Sequence, residues 1–557
     1  MEMFCYQCEQ TAHCTGCTTL GVCGKTPECA ALQDVMVHIA KGISQYAHRA
    51  KLLGVQNESI DAKVFEALFM TLTNVNFDEA EHVEYIQDMS DVLVKARKLY
   101  YDACYDQGKT PELIEGPAQW VGLKTKEELL AFSETVSITM RKIKMDPDIA
   151  SLQEMLTYGI KGLAAYAHHA YLLGYHDADI FAFVHDALNY MEQPEQDMNT
   201  FLEYNLKAGE VNYKVMEMLD KAHTETYGHP VPTEVAITPV EGKAILVSGH
   251  DMKSLEELLK QTEGKGVHVY THGEMLPAHG YPGLKKYPHL VGNFGGAWQL
   301  QQTEFAEFPG AILLTTNCLK PPKDEYKGRL FTMDVVGWED VPKIQNYDYA
   351  PLIESALSCE GFTEATVPSE SKTITVGFGR NAVLGVADKV IGAVKSGDIK
   401  HFFLIGGCDG AEFDRNYFTD FADSAPQESV ILTLGCGKYR FNKHEFGTVA
   451  GLPRLLDLGQ CNDAYSAVQI ALALADAFEC GVNDLPLSLI ISWFEQKAVA
   501  VLLTLLHLGI KDIRLGPNLP AFITPNVLKV LVDTYDLKPI GHVQEDMKMI
   551  LEPATVS

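Results

Sequence analysis

The chain has 557 residues, of which 46% are hydrophobic, with 44 Gly and 25 Pro, and this is an ordinary globular composition. At about 150 residues per domain, the length predicts three to four domains. The 45 Lys and Arg residues against 74 Asp and Glu give a net charge of −29. Such a charge repels phosphate backbones and anionic lipid surfaces, and this argues against nucleic acids and membranes as partners.

The sequence contains no stretch that predicts a membrane span. The longest apolar run, Ala498–Ile510, is interrupted by His507 and is shorter than the roughly 20 residues that a bilayer requires. The amino terminus lacks the basic and apolar segments of a secretory signal, so we expect a cytoplasmic protein. In a reducing cytosol, the 13 cysteines favour metal or redox roles over disulfides.

The first 220 or so residues contain a duplication with an offset of 120 residues. Nine of 15 positions are identical between Ala40–Gly54 and Ile160–Gly174. The apolar spacing and the terminal glycine predict a helix with a glycine C-cap in each copy, and hence two small helical bundles. His48 and His168 recur in the repeat, and we favour buried polar contacts between helices over metal ligation for them.

After the Pro- and Gly-rich loop at residues 227–233, short apolar runs alternate with helix-length segments, and this predicts βαβ units with parallel sheets. A second boundary lies near residues 367–372, after which the alternation restarts. The predicted strands begin at Ala244, Val267, Ala311 and Leu330, and then at Thr373, His401, Ser429, Leu487 and Asp512. We therefore expect a helical domain at 1–226 and two α/β domains at 227–370 and 371–557.

Four of the five thiols in the 19 residues from 5 to 23 form the pattern Cys5-x2-Cys8-x8-Cys17-x5-Cys23. Gly16, Gly21 and Gly24 allow the chain to wrap around a small object. Four thiolates suit structural zinc or a [4Fe–4S] cluster. Zinc ribbons usually contain two Cys-x2-Cys pairs, and this segment has one, so the cluster is favoured over zinc and over free thiols. Cys14 and Cys29 are interpreted as ordinary thiols.

A second set of metal-ligand types follows the predicted strands of the α/β part. Its members are His250, Glu274, Cys318, Cys408, Cys436 and Glu495, together with Cys461 in a loop. The carboxyl ends of parallel strands form a ligand crevice, so distant residues can converge there. Each residue alone has an ordinary structural explanation. Together they exceed the needs of one zinc ion and suit a multi-iron centre with sulfur ligands on one side and N/O ligands on the other.

A dinucleotide site competes for the same crevice. Val376–Gly379 opens a Gly-rich turn after a strand, but the third glycine is Gly385, which does not fit the G-x-G-x-x-G spacing. Direct NAD(P) binding is therefore disfavoured.

Several motifs together resemble those of the hybrid cluster proteins, also called prismane proteins or hydroxylamine reductases. The resemblance covers essentially the whole chain and rests on residues 3–12, 21–25, 292–298, 406–410 and 434–438. It implies a helical domain of two three-helix bundles followed by two Rossmann-like domains.

The resemblance also implies two metal centres. A [4Fe–4S] cubane would be bound by Cys5, Cys8, Cys17 and Cys23. A hybrid [4Fe–2S–2O]-type cluster would be bound by His250, Glu274, Cys318, Cys408, Cys436, Cys461 and Glu495. Cys408 matches a position that carries a persulfide in the family, and Lys497 matches a position close to the hybrid cluster.

The activity implied by the resemblance is the reduction of hydroxylamine to ammonia and water. Cys408 would tune the reactive iron, Glu274 and Glu495 would change their coordination, and Lys497 or His250 would supply charge or protons. The cubane would relay electrons from a separate reductase or ferredoxin. The family's other implied activities are nitric oxide reduction and protein S-nitrosylation in nitrosative stress.

Three further alternatives stay open. A carbon monoxide dehydrogenase-like activity would require nickel. A redox sensor or electron carrier would cycle without product. A structural zinc protein would be colourless and free of iron.

Overall fold

The computed structural model describes residues 3–410 and 416–552, and they form a helical part followed by two parallel six-stranded sheets. This confirms the predicted mixture of α and α/β architecture. The helical part contains α1 (Pro27–Leu52), α2 (Glu58–Met70), α3 (Glu79–Asp106), α4 (Lys126–Val136), α5 (Ile138–Lys144), α6 (Pro147–Leu172), α7 (Ala178–Tyr190) and α8 (Met198–Tyr227).

The sequence repeat is a repeat of structure, because α1 and α6 are both 26 residues long. Each begins with a proline after a capping side chain, Thr26 or Asp146. Each is followed by a glycine with positive φ, 84° at Gly54 and 86° at Gly174, which stops the helix.

The two bundles are interlocked. The helix α1 packs against α3 and α7, and α6 packs against α8 and α2. The short middle helix of each bundle therefore contacts the first helix of the other, and the six helices share one continuous apolar core. The duplicated units are thus fixed relative to each other by packing.

The first parallel sheet has the strand order β4-β3-β2-β5-β6-β7. Its strands are β2 (Lys243–Ser248), β3 (Val267–His272), β4 (Leu290–Asn293), β5 (Ala311–Leu314), β6 (Leu330–Met333) and β7 (Lys343–Ile344). Its helices are α9 (Met252–Thr262), α10 (Pro282–Lys285), α11 (Gln301–Glu307), α12 (Asp324–Lys327) and α13 (Ala350–Ser358).

The second parallel sheet has the order β13-β10-β9-β14-β15-β16, and β11 pairs with β12 beside it. The strands are β9 (His401–Gly407), β10 (Ser429–Thr433), β11 (Thr448–Val449), β12 (Leu452–Pro453), β13 (Leu455–Asp457), β14 (Leu487–Ser492), β15 (Ile513–Gly516) and β16 (Lys538–Pro539). The helices are α14 (Arg380–Leu384), α15 (Ala387–Ser396), α16 (Tyr417–Ser424), α17 (Ala464–Ala477), α18 (Gln496–His507), α19 (Pro525–Tyr535) and α20 (Val543–Leu551).

One predicted strand of the second α/β part lies elsewhere. β8 (Thr373–Val376) pairs antiparallel with β1 (Thr233–Ala236) in a separate two-stranded sheet. Its burial alternates, with Ile374 buried and Thr375 exposed, which suits a one-sided antiparallel pair. The glycine turn that follows leads into α14, a helix of five residues, so it does not open the βαβ unit that a dinucleotide site requires.

The longest apolar run of the sequence forms α18, which packs against α6 and α8. Within the described residues, no helix combines the length and apolar character needed to cross a membrane. The backbones of α8 and α18 are so close that a Cβ on Gly209 of α8 would lie 2.0 Å from the Leu503 carbonyl oxygen of α18. Glycine at this position therefore determines how near α18 can approach.

We expect Gly209→Ala to lower the free energy of unfolding by about 1–3 kcal/mol, because the added methyl group separates α8 from α18. Gly392→Ala is the matched control. Gly392 lies in α15 with no heavy atom near its Cβ position, so alanine there should stabilise by about 0.5–1 kcal/mol. Urea unfolding followed by circular dichroism measures both changes, and equal midpoints for the two variants would contradict the packing argument.

Candidate metal centres

The amino-terminal segment folds back on itself before α1. The backbones of Cys5 and Cys17 pair as an antiparallel bridge, with N···O distances of 3.1 and 2.8 Å. The Thr11 hydroxyl donates to the Cys5 carbonyl at 2.8 Å, and the Ala12 amide donates to the Cys17 sulfur at 3.4 Å. The loop therefore brings Cys17 beside Cys5 although twelve positions separate them in sequence.

The four amino-terminal thiols influence one another electrostatically. Burial raises the pKa of Cys8, and the neighbouring Cys23, Cys5 and Cys17 raise it further. Burial also raises the pKa of Cys5 and Cys23, while Lys25 opposes this rise in both. The Lys25 ammonium would compensate part of the negative charge that four thiolates around a metal cluster carry.

Glycines allow the tight path of this loop. A Cβ on Gly21 would lie 3.1 Å from the Cys23 sulfur, and Gly24, with φ of 95°, abuts Pro321. The two remaining thiols differ from these four. Cys14 is exposed, whereas Cys29 is buried with its sulfur 3.7 Å from the Asn76 carbonyl oxygen.

The second candidate centre lies where strands of both parallel sheets end. The ligand atoms of His250, Glu274 and Cys461 lie within 4.8 Å of one another, and all three residues are buried. The Gln460 side chain donates to the carbonyl oxygens of His250 and Glu274 at 2.9 and 2.7 Å. The Cys461 amide donates to Glu274 Oε2 at 2.8 Å. One loop of the second α/β part is thereby attached to two strand ends of the first.

The other three thiols of the second set belong to the same region. Cys318, Cys408 and Cys436 pack in one buried cluster whose remaining members include Cys8, Ala297, Trp298 and Phe494. The Trp298 and Phe494 rings stack with centroids 4.6 Å apart. Because Cys8 is one of the amino-terminal thiols, the two candidate centres are neighbours in the fold.

Glu495 and Lys497 are held by bonds at the start of α18. Glu495 is the N-cap residue, and its Oε2 accepts from the Lys497 amide at 2.9 Å. Lys497 Nζ donates to His250 Nε2 at 3.0 Å and to Asn317 Oδ1 at 2.8 Å, and it lies 3.6 Å from Glu495 Oε1. This buried ammonium therefore joins residues from both sheets.

Burial and neighbouring charges determine the protonation of the second centre. Burial and the Lys497 ammonium lower the pKa of His250 well below its usual range, so the imidazole is neutral. Burial raises the pKa of Cys408 well above its usual range, and Glu495 and Cys318 raise it further. These thiols stay protonated unless a cation binds them, since a metal ion supplies the charge that stabilises thiolates.

The hydrogen bonding of the Glu274 carboxylate also indicates whether a metal ion would fit this site. Its Oε1 is buried and has no hydrogen-bond partner among the described residues, while Oε2 accepts from Cys461. An unpartnered buried carboxylate oxygen is costly unless something absent from the protein satisfies it. The donor set of one imidazole, two carboxylates and four thiols therefore fits a metal centre with both hard and soft ligands.

Several supporting residues gave no signal in the sequence. Thr316 Oγ1 accepts from both the amide and Nδ1 of His250, at 2.8 and 2.9 Å, and Asn317 bonds Lys497. This pattern puts the imidazole proton on Nδ1, so that Nε2, which accepts from Lys497, carries the lone pair that a metal ligand requires. Only the position of Thr316 and Asn317 just before Cys318 could have pointed to them.

The repeated histidines lie in polar contacts, but only the polar contact of His48 is with another helix, as we expected for both, and His48 is half-buried. His168 Nε2 is 2.8 Å from Asp334 Oδ2, and His48 Nδ1 is 3.4 Å from Asp186 Oδ1. In the described part of the chain, the one group of three potential metal ligands contains neither histidine.

The fold and the two thiol-rich centres define a family that comparison with known proteins identifies. A model described as the Prismane/CO dehydrogenase family matches residues 3–548, and the chain belongs to this family. A hydroxylamine reductase of Geobacter metallireducens is 55% identical over 99% of this chain and 100% of its own length. One from Geobacter sulfurreducens is 54% identical with the same coverage.

Solved structures share the fold at lower identity. A nickel-free carbon monoxide dehydrogenase from Thermococcus sp. AM4 has a TM-score of 0.56 and 16% identity, covering 98% of this chain and 90% of its own. Carbon monoxide dehydrogenase IV from Carboxydothermus hydrogenoformans has a TM-score of 0.56 and 15% identity, with 96% and 89% covered. Family membership and the grouped thiols together support iron–sulfur cofactors.

We expect Thr316→Val to weaken metal binding about 10–100-fold, because His250 loses the hydroxyl that orients its ring. Thr332→Val is the matched control, since the buried Thr332 hydroxyl has no partner among the described residues. Iron retained per chain under a chelator challenge measures the difference. Equal retention in the two variants would show that the Thr316 hydroxyl does not support the centre.

Proposed function

We propose that this protein reduces hydroxylamine to ammonia and water, with two electrons and two protons consumed per substrate. The observation that carries the proposal is the convergence of His250, Glu274 and Cys461 with the buried Lys497 at the ends of two sheets. Relatives 51–55% identical over almost the whole chain are named hydroxylamine reductases, which supports the same activity here.

We infer a [4Fe–4S] cluster at the amino-terminal loop and a hybrid [4Fe–2S–2O]-type cluster at the second centre. The first would be bound by Cys5, Cys8, Cys17 and Cys23, and the second by His250, Glu274, Cys318, Cys408, Cys436, Cys461 and Glu495. When bound, the hybrid cluster would supply an iron that accepts and polarises a small N–O substrate. Cys408 is the inferred persulfide position.

The protein's own groups would manage charge and protons at this centre. Burial alone would lower the pKa of Lys497, but the surrounding Cys461, Glu495 and Cys318 outweigh it and keep the ammonium charged. Its contacts with His250 and Asn317 fix the charge in place. A fixed ammonium in a water-poor site can stabilise negative charge that develops on the substrate oxygen and can donate a proton to it.

The close approach of the two centres supports electron relay through the amino-terminal cluster. Cys8 packs in the same buried cluster as Cys318, Cys408 and Cys436. The Glu9 amide donates to the Phe494 carbonyl at 2.9 Å, so the loop also contacts the residue before Glu495. Electrons would come from a separate reductase or ferredoxin that reaches the partly exposed side of this loop, where Cys5 and Cys23 are half-buried.

These assignments extend to the organisation of the chain. We infer domains at 1–226, 227–370 and 371–557, with the hybrid cluster between them, and a cytoplasmic location. The contacts of Gln460 with His250 and Glu274 support a site that the two α/β regions share.

A set of apolar cavities favours nitric oxide as a second candidate substrate. Cavities of about 370, 20 and 120 Å³ share lining residues, among them Phe402 and Leu404, along the second sheet. The cavity of about 120 Å³ is lined by Gly406 and Gly407, which directly precede Cys408. Cavities with such an apolar lining suit an uncharged gas better than the polar hydroxylamine. S-nitrosylation and redox sensing would follow from the same chemistry without ammonia as product.

Carbon monoxide oxidation has weaker support. The carbon monoxide dehydrogenases that share the fold are 15–16% identical to this chain, and at that level the likeness extends to the fold alone. Two buried carboxylates, Glu274 and Glu495, suit oxo-bridged iron better than a sulfide-bound nickel. Nickel analysis of the purified protein separates the two functions.

We expect Glu495→Gln to lower kcat for hydroxylamine about 100-fold or more, because the substitution removes a charged ligand and the partner of Lys497. The exposed Glu545→Gln is the control. Turnover is measured with reduced viologen on anaerobically purified protein after iron, sulfide and EPR analysis, with nitric oxide as competitor. Unchanged turnover and spectra in Glu495→Gln would remove this residue from the site. Zinc without iron, or redox cycling without ammonia, would refute the function.

We expect Cys23→Ser to lose about four irons per chain while the hybrid signals persist. Turnover with any donor that depends on the amino-terminal cluster should then fall. Cys14→Ser is the control, because Cys14 lies in the same loop but is exposed. Iron analysis with EPR measures both, and full iron content in Cys23→Ser would contradict the assigned ligand set.

A further inference from the structure

One face of α6 lies against the second centre. Gly162, Tyr166 and His169 are spaced by four and three residues, so they share a side of the helix. A Cβ on Gly162 would lie 2.3 Å from the Gln496 carbonyl oxygen, which puts this face on the first turn of α18. The His169 ring stacks on His250 with centroids 6.1 Å apart and planes 14° apart. Tyr166 lies between these two contacts.

The Tyr166 hydroxyl is buried on this face of α6. The residue is 1% exposed, and its hydroxyl has no hydrogen-bond partner among the described residues. Burial raises the pKa of Tyr166, and among neighbouring groups Cys461 contributes most, ahead of Glu495 and Cys408. The ring lies between the Gly162 contact with Gln496 and the His169 stack on His250, and the ligand atoms of His250 and Cys461 lie within 4.8 Å of each other, so the hydroxyl is close to the residues that we assign to the hybrid cluster. Such a buried donor is unfavourable unless the bound centre satisfies it.

The first copy of the repeat shows what the same tyrosine does without a metal centre. A Cβ on Gly42 would lie 2.4 Å from the Pro117 carbonyl oxygen, so the equivalent face of α1 packs on the segment Gly116–Gln119. The Tyr46 hydroxyl donates to the Ala118 carbonyl at 3.3 Å. In the second copy, the start of α18 occupies this place, and no carbonyl in the described part of the chain accepts from Tyr166.

We propose that Tyr166 is a positioning residue whose hydroxyl donates a hydrogen bond to the Cys461 thiolate sulfur when the metal centre is bound. Hydrogen bonds to ligand sulfurs withdraw negative charge and favour the reduced cluster, which raises its reduction potential. The inference rests on the proposed function only in requiring a metal cluster bound through Cys461.

The test compares Tyr166→Phe with Tyr46→Phe, each of which removes one oxygen from an equivalent position of the repeat. The measurement is a potentiometric titration of the hybrid-cluster EPR signals in anaerobically purified protein. We expect Tyr166→Phe to shift the reduction equilibrium about tenfold toward the oxidised state, which is about 59 mV for one electron. Tyr46→Phe should leave the potential unchanged and lower only thermal stability.

A second measurement does not depend on the potential. Pulsed EPR of the wild-type protein in D₂O should detect an exchangeable deuteron coupled to the cluster, and Tyr166→Phe should lose that coupling. Equal potentials and equal couplings in both variants would overturn the proposal. A change in KM alone would also overturn it, because the hydroxyl would then contact substrate and not Cys461.

The two proposals can fail separately. If wild-type protein lacks the hybrid EPR signals, the cluster assignment fails and the role of Tyr166 fails with it. If those signals are present and Tyr166→Phe has wild-type potential and coupling, only the role of Tyr166 fails.

Discussion

The close packing of α18 on α6 and α8 is the constraint on which the rest of this structure depends. At Gly162 and Gly209 the helical backbones touch carbonyl oxygens of α18 with no room for a Cβ atom. This contact joins the second α/β part to the duplicated helices. It also determines where α18 begins, and therefore where Glu495 and Lys497 lie relative to the strand ends.

This packing also concentrates many buried ionisable groups in one region. Carboxylates, thiols and an imidazole surround the Lys497 ammonium, which contacts His250 and Asn317. Such a group is unfavourable in a protein interior unless each charge is compensated. Glu274 Oε1 has no hydrogen-bond partner within residues 3–410 and 416–552, and the pKa values of the thiols are raised, so the compensation is incomplete without a metal centre.

The duplication shows how one helical unit acquired two uses. Both copies keep the glycine and tyrosine on the same helical face, but the first copy packs on Gly116–Gln119 and the second on the start of α18. His48 and His168 also diverge, because the first contacts another helix and the second contacts Asp334 in the first α/β part. The role of this helical face is therefore decided by the segment that packs against it, more than by the repeated sequence.

Local sequence patterns were sufficient to predict the helical repeat, eight of the twelve strands in the two described parallel sheets, and the residue types of both candidate centres. Periodicity, glycine stops and cysteine spacing are local signals that need no knowledge of distant contacts. These patterns misassigned Thr373–Val376, because pairing with Thr233–Ala236 depends on a partner some 140 positions away. Only the tertiary structure revealed that Cys8 packs beside the second set of thiols and that Thr316 and Asn317 contact His250 and Lys497. Those contacts join segments that are far apart in sequence, and only the packed fold brings them within hydrogen-bonding distance.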